Sequence, residues 1–407
     1  MEGLVIGLDL NDDYSQVSCN EKEKSWTVPT VICRRKEKET WLIGEEAYAA
    51  TLLGEGVIVD KLLKMVRKEG TSTIGGICYT GTDLLKIFLK KLLDCPFKEF
   101  HTDQVEQLVI TMHGTDAKVT DCLMYCADYL NIPRDRVHVI SHTESFAYYV
   151  LSQRKELWSN QVGLFELSED RLCYYEMKVQ RGMRRNMVQA EAQNQEEAFD
   201  LDILNSPSGS KLADQILCSC GEKLLEKKLF STVFLTGKGF ERQDWATGFM
   251  KLACNRRRVF VENVLFSKGA AVKAGDYLAQ GTEFPYVFVC EGRLKAEVAL
   301  KVMRAGKEIL LAVASYGDNW YESKSSLELI LDDQKEIEFI ISHLDSRKKR
   351  IVSVPLSGFP ERPRRTTRIQ MNIGFTDENT MAVVIRDKGF GELFPASDTV
   401  IRQEVIL

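Results

Sequence analysis

Two short stretches decide the fold predicted for this chain: Asp9-Leu10-Asn11-Asp12-Asp13 and Glu166-Leu167-Ser168-Glu169-Asp170. Each reads acid, leucine, small polar residue, acid, aspartate, and position 166 lies 157 positions after position 9. Each stretch also separates two apolar segments, which is the pattern of a tight turn between antiparallel strands. A hairpin repeated in this way predicts a duplicated domain with two lobes, whose paired turns face one cleft.

Strand-like and helical segments alternate after each hairpin, which is typical of parallel strands in a layered α/β domain. Apolar periodicity predicts helices over residues 44–50, 84–93, 116–130, 144–153, 211–228, 245–253 and 267–278, with Thr82 and Asp83 capping the second of them. The strands predicted between them span residues 4–8, 16–19, 26–33, 40–43, 108–112, 137–140 and 232–235, and a second hairpin spans 161–179.

The pattern changes after about Thr282, because no helical periodicity follows. Eight short strands with polar turns predict an antiparallel β-sandwich. These strands span residues 284–289, 295–302, 307–314, 326–331, 336–341, 351–354, 368–375 and 381–386. We therefore predict a two-lobed α/β domain over 1–281, with lobes of about 1–160 and 161–281, and an all-β sandwich over 282–407.

Composition is that of an ordinary globular protein. The chain has 407 residues, which predicts two or three domains, and 44% of them are hydrophobic. With 54 basic and 59 acidic residues, the formal net charge of −5 gives no reason to expect a nucleic-acid partner. The apolar runs are too short to span a bilayer, so no membrane partner is expected.

The cysteines and the N-terminus predict a reducing, cytoplasmic location. Asp9 interrupts the N-terminal segment before a signal-peptide apolar region forms. The count of 11 cysteines is odd, which argues against a complete disulfide framework, and the five histidines lack zinc-site spacing.

Several motifs, in one shared order, resemble the actin-like ATPase superfamily, and specifically a lidless, divergent heat-shock chaperone of the DnaK type. Residues 7–15 look like the first phosphate loop of these chaperones, and residues 233–239 look like their adenosine strand and its glycine turn. Residues 267–272, Ser-Lys-Gly-Ala-Ala-Val, are similar to a chaperone helix, and residues 386–392 resemble a hairpin of the chaperone peptide-binding sandwich. The resemblance covers nearly the whole chain.

The resemblance implies a set of site residues and a cofactor, ATP or ADP with Mg²⁺. Asp9 stands at the position of the family's metal-side aspartate, and Lys61 at that of a phosphate-facing lysine. Asp9, Lys61 and Glu166 are then the candidates for catalysis. The candidates for cofactor binding are Asn11, Asp12, Asp13, Ser168, Gly237, Lys238 and Gly239.

The chemistry of the two turns conflicts with that resemblance. A phosphate loop needs small residues whose backbone N–H groups approach the phosphate, but Asn11, Asp12 and Asp13 replace glycine and two threonines. A carboxylate about 4 Å from a phosphate costs roughly 4 kcal/mol at an effective dielectric constant near 20. The second turn has lost every family glycine, and His142 replaces the glutamate of the first connecting segment.

Simpler structural roles compete with each functional role. Asp9, Asp12, Asp13, Glu169 and Asp170 could be turn residues, Lys61 a solvated helix lysine, and His142 a satisfied, half-buried histidine. Gly237 and Gly239 could belong to a turn that needs positive φ. The basic runs 256–258 and 347–350 are typical of solvated faces. If both turns face one cleft, their carboxylates would also make a strongly acidic site for a divalent cation or a basic peptide.

The predicted function is that of a degenerate ATPase that binds or scaffolds protein. The C-terminal sandwich would contact the partner, with an extended peptide added at a sheet edge. One alternative is an active ATP hydrolase that uses Asp9 and Lys61 with unusual loops. Others are a sugar or acyl kinase, and an actin-like filament former.

Overall fold

The computed structural model describes residues 3–19, 24–36, 40–169, 171–181, 186–195, 199–343 and 349–407. The chain divides into two compact units, Met1–Tyr286 and Val287–Leu407. This division lies five residues beyond the predicted boundary of 281. Asp170, Arg347 and Lys348, which belong to sequence motifs discussed above, lie outside the described residues.

The first half of the first unit is built around a five-stranded sheet. Its elements are β1 (Leu4–Leu10), β2 (Tyr14–Cys19), β3 (Lys24–Pro29), β4 (Ile32–Arg35), β5 (Trp41–Ile43), α1 (Gly44–Leu52), β6 (Gly56–Val59), α2 (Leu62–Arg67), β7 (Thr71–Ile74), β8 (Ile77–Thr80), α3 (Gly81–Phe100), β9 (Val105–Met112), α4 (Ala117–Tyr129), β10 (Val137–Ser141) and α5 (His142–Leu151). The sheet has the order β10-β9-β1-β2-β3. β9 is parallel to both β1 and β10, whereas β1, β2 and β3 form antiparallel pairs.

The second half repeats this plan. Its elements are β11 (Gln161–Leu167), β12 (Leu172–Gln180), β13 (Met187–Gln195), α6 (Pro207–Leu225), β14 (Phe230–Thr236), α7 (Thr247–Ala253), β15 (Arg258–Val261) and α8 (Leu265–Leu278). Within this unit, its sheet has the order β15-β14-β11-β12-β13. The first two pairings in that order are parallel and the last two are antiparallel, as in the first sheet.

The repeat extends to the pairing register. Asp9 pairs with Thr111 across a parallel ladder, and Glu166 pairs with Thr236 in the same way. Both ladders also contain a register shift at the same place, between Leu4 and Val5 in β1 and between Gln161 and Val162 in β11. The duplicated, hairpin-led architecture predicted from the two stretches is thereby confirmed.

Helices α5 and α8 join the two halves. A Cβ atom at Gly7 of β1 would lie 2.1 Å from the carbonyl oxygen of Ser267, so glycine lets α8 lie directly on the first sheet. At the crossing of the two helices, a Cβ atom at Gly269 would lie 2.0 Å from the carbonyl oxygen of Ser145. The Ser145 hydroxyl also donates to the carbonyl oxygen of Phe266. This contact places the start of α5 beside the start of α8.

The second unit is antiparallel and β-rich, as predicted. Its strands are β16 (Val287–Val289), β17 (Ala296–Arg304), β18 (Lys307–Ala314), β19 (Ser325–Leu331), β20 (Glu336–His343), β21 (Lys349–Pro355), β22 (Thr367–Asp377), β23 (Thr380–Gly389) and β24 (Val400–Ile406). They include two four-stranded sheets, with the orders β18-β17-β20-β21 and β19-β22-β23-β24. Ile369, Met371 and Ile373 are buried at alternate positions of β22, which is the period of a sheet with one covered face.

A buried ion pair connects the segment before β22 to β23 in this unit. The Arg362 guanidinium donates to both carboxylate oxygens of Asp387, at 2.8 and 2.7 Å. Asp387 also accepts from the backbone N–H groups of Gly389 and Ser397. Burial opposes ionisation, but the guanidinium and these N–H donors hold the pKa of the Asp387 carboxyl below its ordinary value.

Two local predictions were wrong. Residues 26–33 do not form one strand, because β3 ends at Pro29 and β4 belongs to a separate sheet with β5 and β6. The N-cap of helix α3 is Thr80 rather than Thr82, although the predicted Asp83 does take part in the cap: the Thr80 hydroxyl accepts from the Asp83 N–H, and the Asp83 carboxylate accepts from the Thr80 N–H. Among the described residues, no helix is long and apolar enough to cross a membrane.

Candidate functional site

A cavity of about 600 Å³ lies between the two halves of the first unit, and both hairpin turns line it. The predicted site residues that line it are Asp9, Asn11, Asp12, Asp13, Lys61, Glu166, Ser168, Gly237 and Lys238. Gly239 is not among the lining residues, and Asp170 lies outside the described part of the chain. The prediction that the paired turns face one cleft is confirmed.

The first turn satisfies its own backbone. The Asn11 Oδ1 atom accepts from the backbone N–H of Asp13 at 3.1 Å and from that of Tyr14 at 2.9 Å. Asparagine commonly closes a turn in this way. Two N–H groups that a phosphate loop would direct at its ligand are therefore occupied by a side chain of the turn itself.

The two aspartates of this turn hold α2 in place. One carboxylate oxygen of Asp12 accepts from the backbone N–H of Leu63 at 2.8 Å and more weakly from that of Lys64. Lys61, which precedes α2 in a left-handed conformation with φ of 51°, donates to Asp13. This hydrogen bond raises the pKa of Lys61 above its ordinary value. Both aspartates thus have partners within the protein.

The second turn is also internally paired. The backbone N–H of Ser168 donates to the carbonyl oxygen of Arg171 at 2.9 Å. Lys238 donates to Glu169, and its ammonium lies 5.5 Å from the centre of the Tyr14 ring in the other turn. The hydrogen bond to Glu169 raises the pKa of Lys238. Lys238 therefore connects the two turns across the mouth of the cavity.

The two glycines after β14 serve different purposes. Gly237 has φ of 95°, as expected for a turn that needs glycine, and a Cβ atom there would lie 2.5 Å from the carbonyl oxygen of Leu167. Gly239 does not have positive φ. A Cβ atom at Gly239 would lie 2.4 Å from the Leu167 side chain, so this glycine is needed for packing. Both glycines let the strand end approach the second hairpin.

The floor of the cleft is a buried chain of polar contacts that runs from Asp9 to Arg171. The His142 Nε2 atom lies 2.8 Å from the Asp9 carboxylate, and its Nδ1 atom lies 3.4 Å from the Tyr175 hydroxyl. Tyr175 donates to Glu166 at 2.7 Å, and Arg171 donates to the other Glu166 oxygen at 3.2 Å. His142 is only 2% exposed, so it is fully buried rather than half-buried.

The surroundings of the Glu166 carboxyl favour its ionised form in spite of its burial. Burial alone would raise its pKa, but Arg171, His142 and the Tyr175 hydroxyl together hold it below the ordinary value. Burial and the negative charge of Glu166 raise the pKa of Tyr175 well above its ordinary value, so that this hydroxyl keeps the proton it donates. The contacts join Asp9 and Glu166, which occupy equivalent positions of the two hairpins.

Sequence reasoning missed Tyr175, Arg171, His113 and Phe266. Phe266 stacks on the His142 ring at 3.9 Å between ring centres, and His113 meets that ring edge-on at 6.0 Å. Only Arg171 carried a local signal, since it directly follows the second acidic stretch. The other three reach the site from β12, from the end of β9 and from α8, and no spacing rule brings them together.

The cleft is not the strongly acidic site that the sequence predicted. Its lining has seven carboxylates but also five side-chain cations. Four of the seven carboxylates are in ion pairs: Asp13 with Lys61, Asp116 with Arg67, Glu166 with Arg171, and Glu169 with Lys238. Within the described ranges, no group of three or more His, Cys, Asp or Glu side chains could hold a metal ion. A metal role for Asp9 stays a prediction.

Comparison with known proteins divides the chain almost where the structure does. A model described as "Family of unknown function (DUF5716) C-terminal" matches residues 13–291, and one described as "Domain of unknown function (DUF8552)" matches residues 293–407. Neither description names an activity, and no curated protein matches significantly. Because the first match covers more than half of the chain, this protein belongs to the DUF5716 C-terminal family of unknown function.

Proposed function

We propose that this chain is a divergent, actin-like protein of the heat-shock chaperone type that does not hydrolyse nucleotide and acts as a binding or scaffold protein. The repeated hairpin-led sheets and the cleft between them support the actin-like part of the proposal. The two antiparallel sheets of the second unit support its chaperone-like part. Fold alone does not determine activity, so the functional argument rests on the cleft.

One observation best supports the proposed loss of nucleotide binding. The side chain of Asn11 accepts hydrogen bonds from two backbone N–H groups of the first turn. A bound phosphate would have to displace Asn11 Oδ1 from the N–H groups of Asp13 and Tyr14. It would also approach the carboxylates of Asp12 and Asp13, which already serve α2 and Lys61. An anion therefore gains few donors there, and it meets the carboxylate of Asp12 and that of Asp13, which already holds Lys61.

Thermal unfolding with Mg²⁺-ATP and Mg²⁺-ADP tests this part of the proposal. A ligand at 100 times its dissociation constant would stabilise the fold by about 2.7 kcal/mol. We expect no shift in midpoint at millimolar nucleotide, and phosphate release equal to that of an Asp9→Asn control. A nucleotide-dependent shift in the wild type, together with phosphate release that Asp9→Asn abolishes, would establish the active ATPase instead.

In the second unit, β18 is a sheet edge suited to an extended peptide. β18 is the last strand of its sheet, and residues 309–314 read Ile-Leu-Leu-Ala-Val-Ala without charge or proline. Both edge strands of this sheet begin with two charged residues, Lys307-Glu308 in β18 and Lys349-Arg350 in β21, but only β21 also contains a proline, Pro355, which discourages strand addition. Leu310 in β18 is 53% exposed. An extended peptide adding to β18 would gain backbone hydrogen bonds and apolar contacts.

A fluorescent peptide of alternating valine and threonine tests this edge by anisotropy. We expect binding that Leu310→Lys weakens at least tenfold, because lysine on an edge strand opposes further pairing. Ile330→Lys is the matched control, since Ile330 is a similarly exposed apolar residue on β19, an edge strand of the other sheet. Equal binding by Leu310→Lys and the wild type would eliminate β18 as the peptide site.

A further inference from the structure

One strand of the second unit, β24, has a sequence whose chemical character is symmetric about its middle residue. It reads Val-Ile-Arg-Gln-Glu-Val-Ile over residues 400–406, with Gln403 at the centre. A basic and an acidic residue, Arg402 and Glu404, flank Gln403, and two apolar residues follow at each end. Two such strands, paired antiparallel about a two-fold axis at Gln403, would place unlike charges opposite each other and apolar residues opposite apolar residues.

β24 also lies at an edge of the sheet β19-β22-β23-β24, and it pairs with β23 without a register shift. The Thr399 carbonyl oxygen accepts from Asp387 of β23, and the Leu407 N–H donates to the turn before β23. Because backbone direction alternates along a strand, the odd-numbered residues of β24 direct their N–H and C=O groups to β23. The even-numbered residues direct theirs to the open edge: Val400, Arg402, Glu404 and Ile406.

These outward backbone groups match the symmetric pairing. With the axis at Gln403, Arg402 of one copy lies opposite Glu404 of the other, and both residues direct their N–H and C=O groups to the partner. They therefore form hydrogen-bonded pairs, and Gln403 faces its own copy in a non-hydrogen-bonded pair. If the axis moved by one residue to Glu404, that carboxylate would face its own copy and both charge pairs would be lost.

The side chains along this edge are available to a second copy. All four outward residues are exposed, and Val400 and Ile406 are 40% and 70% exposed. Neither Arg402 nor Glu404 has an ion-pair partner among the residues that the structure describes. Arg350 donates to the Ile406 carbonyl oxygen, but the central pairs of the symmetric arrangement do not use that oxygen.

We propose that β24 pairs with β24 of a second copy of this chain, so that two four-stranded sheets continue as one sheet across a symmetric dimer. Charge complementarity identifies the occupant of this edge. The opposite edge strand of the same sheet, β19, lacks it, because its middle residue, Glu328, would face its own copy. One strand from each copy is a small interface, so the dimer is weak, and its exposed charge pairs make it weaker at high salt. The inference does not involve the cleft or β18, so it is independent of the proposed function.

Sedimentation velocity of the full chain at increasing concentration measures this dimer. Arg402→Glu and Glu404→Arg each place like charges opposite each other twice, so each variant alone should raise the dissociation constant at least about tenfold. An equimolar mixture of the two variants recreates both unlike pairs, and we expect it to associate as the wild type does. Arg304→Glu makes the same charge change at an exposed residue of β17, in the other sheet, and should leave the dimer unchanged.

A cysteine at the centre of β24 tests the position of the axis. The Cα atoms of a non-hydrogen-bonded antiparallel pair are about 4.5 Å apart, which is within the range of a disulfide. We expect mild oxidation to link Gln403→Cys into a covalent dimer, with the bond located by mass spectrometry of the linked peptides. Gln370→Cys, at a half-buried glutamine of the inner strand β22, should form no such link.

Several results would overturn the inference. One is a chain that stays monomeric at every concentration. Another is a dimer that Arg402→Glu and Glu404→Arg leave unchanged, or one that Gln403→Cys does not link, since either would form through another surface or about another axis. A mixture of the two charge variants that fails to associate would overturn it as well. Both variants change exposed side chains, and circular dichroism checks that each is folded.

Discussion

His113 lines the cavity, and its pKa shows the effect of the burial and the charges around the cavity. Burial, the positive charge of Arg171 and the neighbouring His142 lower the pKa of His113 to about 4. A histidine in the unfolded chain titrates near 6.5. Between these two values the unfolded chain binds a proton that the folded chain does not, so acidification through this window favours unfolding.

We therefore predict that the free energy of unfolding falls by roughly 1–3 kcal/mol between pH 6.5 and pH 4 because of His113. Urea unfolding at a series of pH values measures this slope. His113→Gln should flatten it, whereas His101→Gln, a change at an exposed surface histidine, should leave it as in the wild type. A slope that His113→Gln leaves unchanged would assign the acid sensitivity to other groups.

Sequence reasoning worked for residues whose role depends on the local chain. Gly237 was predicted as a turn glycine and has φ of 95°. It failed for residues whose role depends on distant partners. The bond between His142 and Asp9 spans 133 positions and that between His142 and Tyr175 spans 33, so neither follows from spacing. The true partner of His142 became visible only in the folded chain.

Among the elements, α5 and α8 determine how closely the two halves pack. Their crossing places Gly269 against the backbone of Ser145, and a Cβ atom at Gly269 would lie 2.0 Å from that carbonyl oxygen. Alanine favours a helix over glycine by about 1 kcal/mol, but overpacking of a close contact costs typically 1–3 kcal/mol. Since the obstructing atom is backbone, the helices must move apart to accommodate the methyl group.

We expect Gly269→Ala to destabilise the first unit by about 1–3 kcal/mol, in spite of its better helix propensity. Differential scanning calorimetry measures this loss. Gly281→Ala is the control, because a Cβ atom at that position meets nothing within 4 Å, and its effect should stay within about 0.5 kcal/mol. A neutral or stabilising Gly269→Ala would mean that the crossing can relax without loss.

Two helices with several turns of periodicity were predicted to within two residues at each end, whereas α3, with 20 residues, was predicted over only 84–93. The helix predicted over residues 116–130 is α4, Ala117–Tyr129, and the helix predicted over 267–278 is α8, Leu265–Leu278. Of the elements of four to six residues, β2 and β10 were predicted, but others, such as α2 and β7, were missed because they contain too little pattern. β13 was also missed, since its Met187–Gln195 sequence is mostly polar and backbone pairing with β12 holds it.

At the scale of the whole molecule, the repeated acidic stretch correctly indicated a duplicated first unit and a common cleft. It wrongly indicated that this cleft would be strongly acidic. Sequence alone shows the carboxylates of the turns, but Lys61, Arg171 and Lys238 neutralise three of them only after folding. The charge of a cleft is set by which side chains the fold brings to it, and the net charge of the chain does not report that.

The matching register of the two hairpins has a practical consequence. A position in the first hairpin and the position 157 residues later occupy the same backbone setting, as Asp9 and Glu166 do. The backbone is held constant between them while the chemical surroundings differ. Each position can therefore serve as the control for the other. If the same substitution is made at both, the shared part of the change in stability comes from the backbone, and the difference comes from the neighbouring side chains.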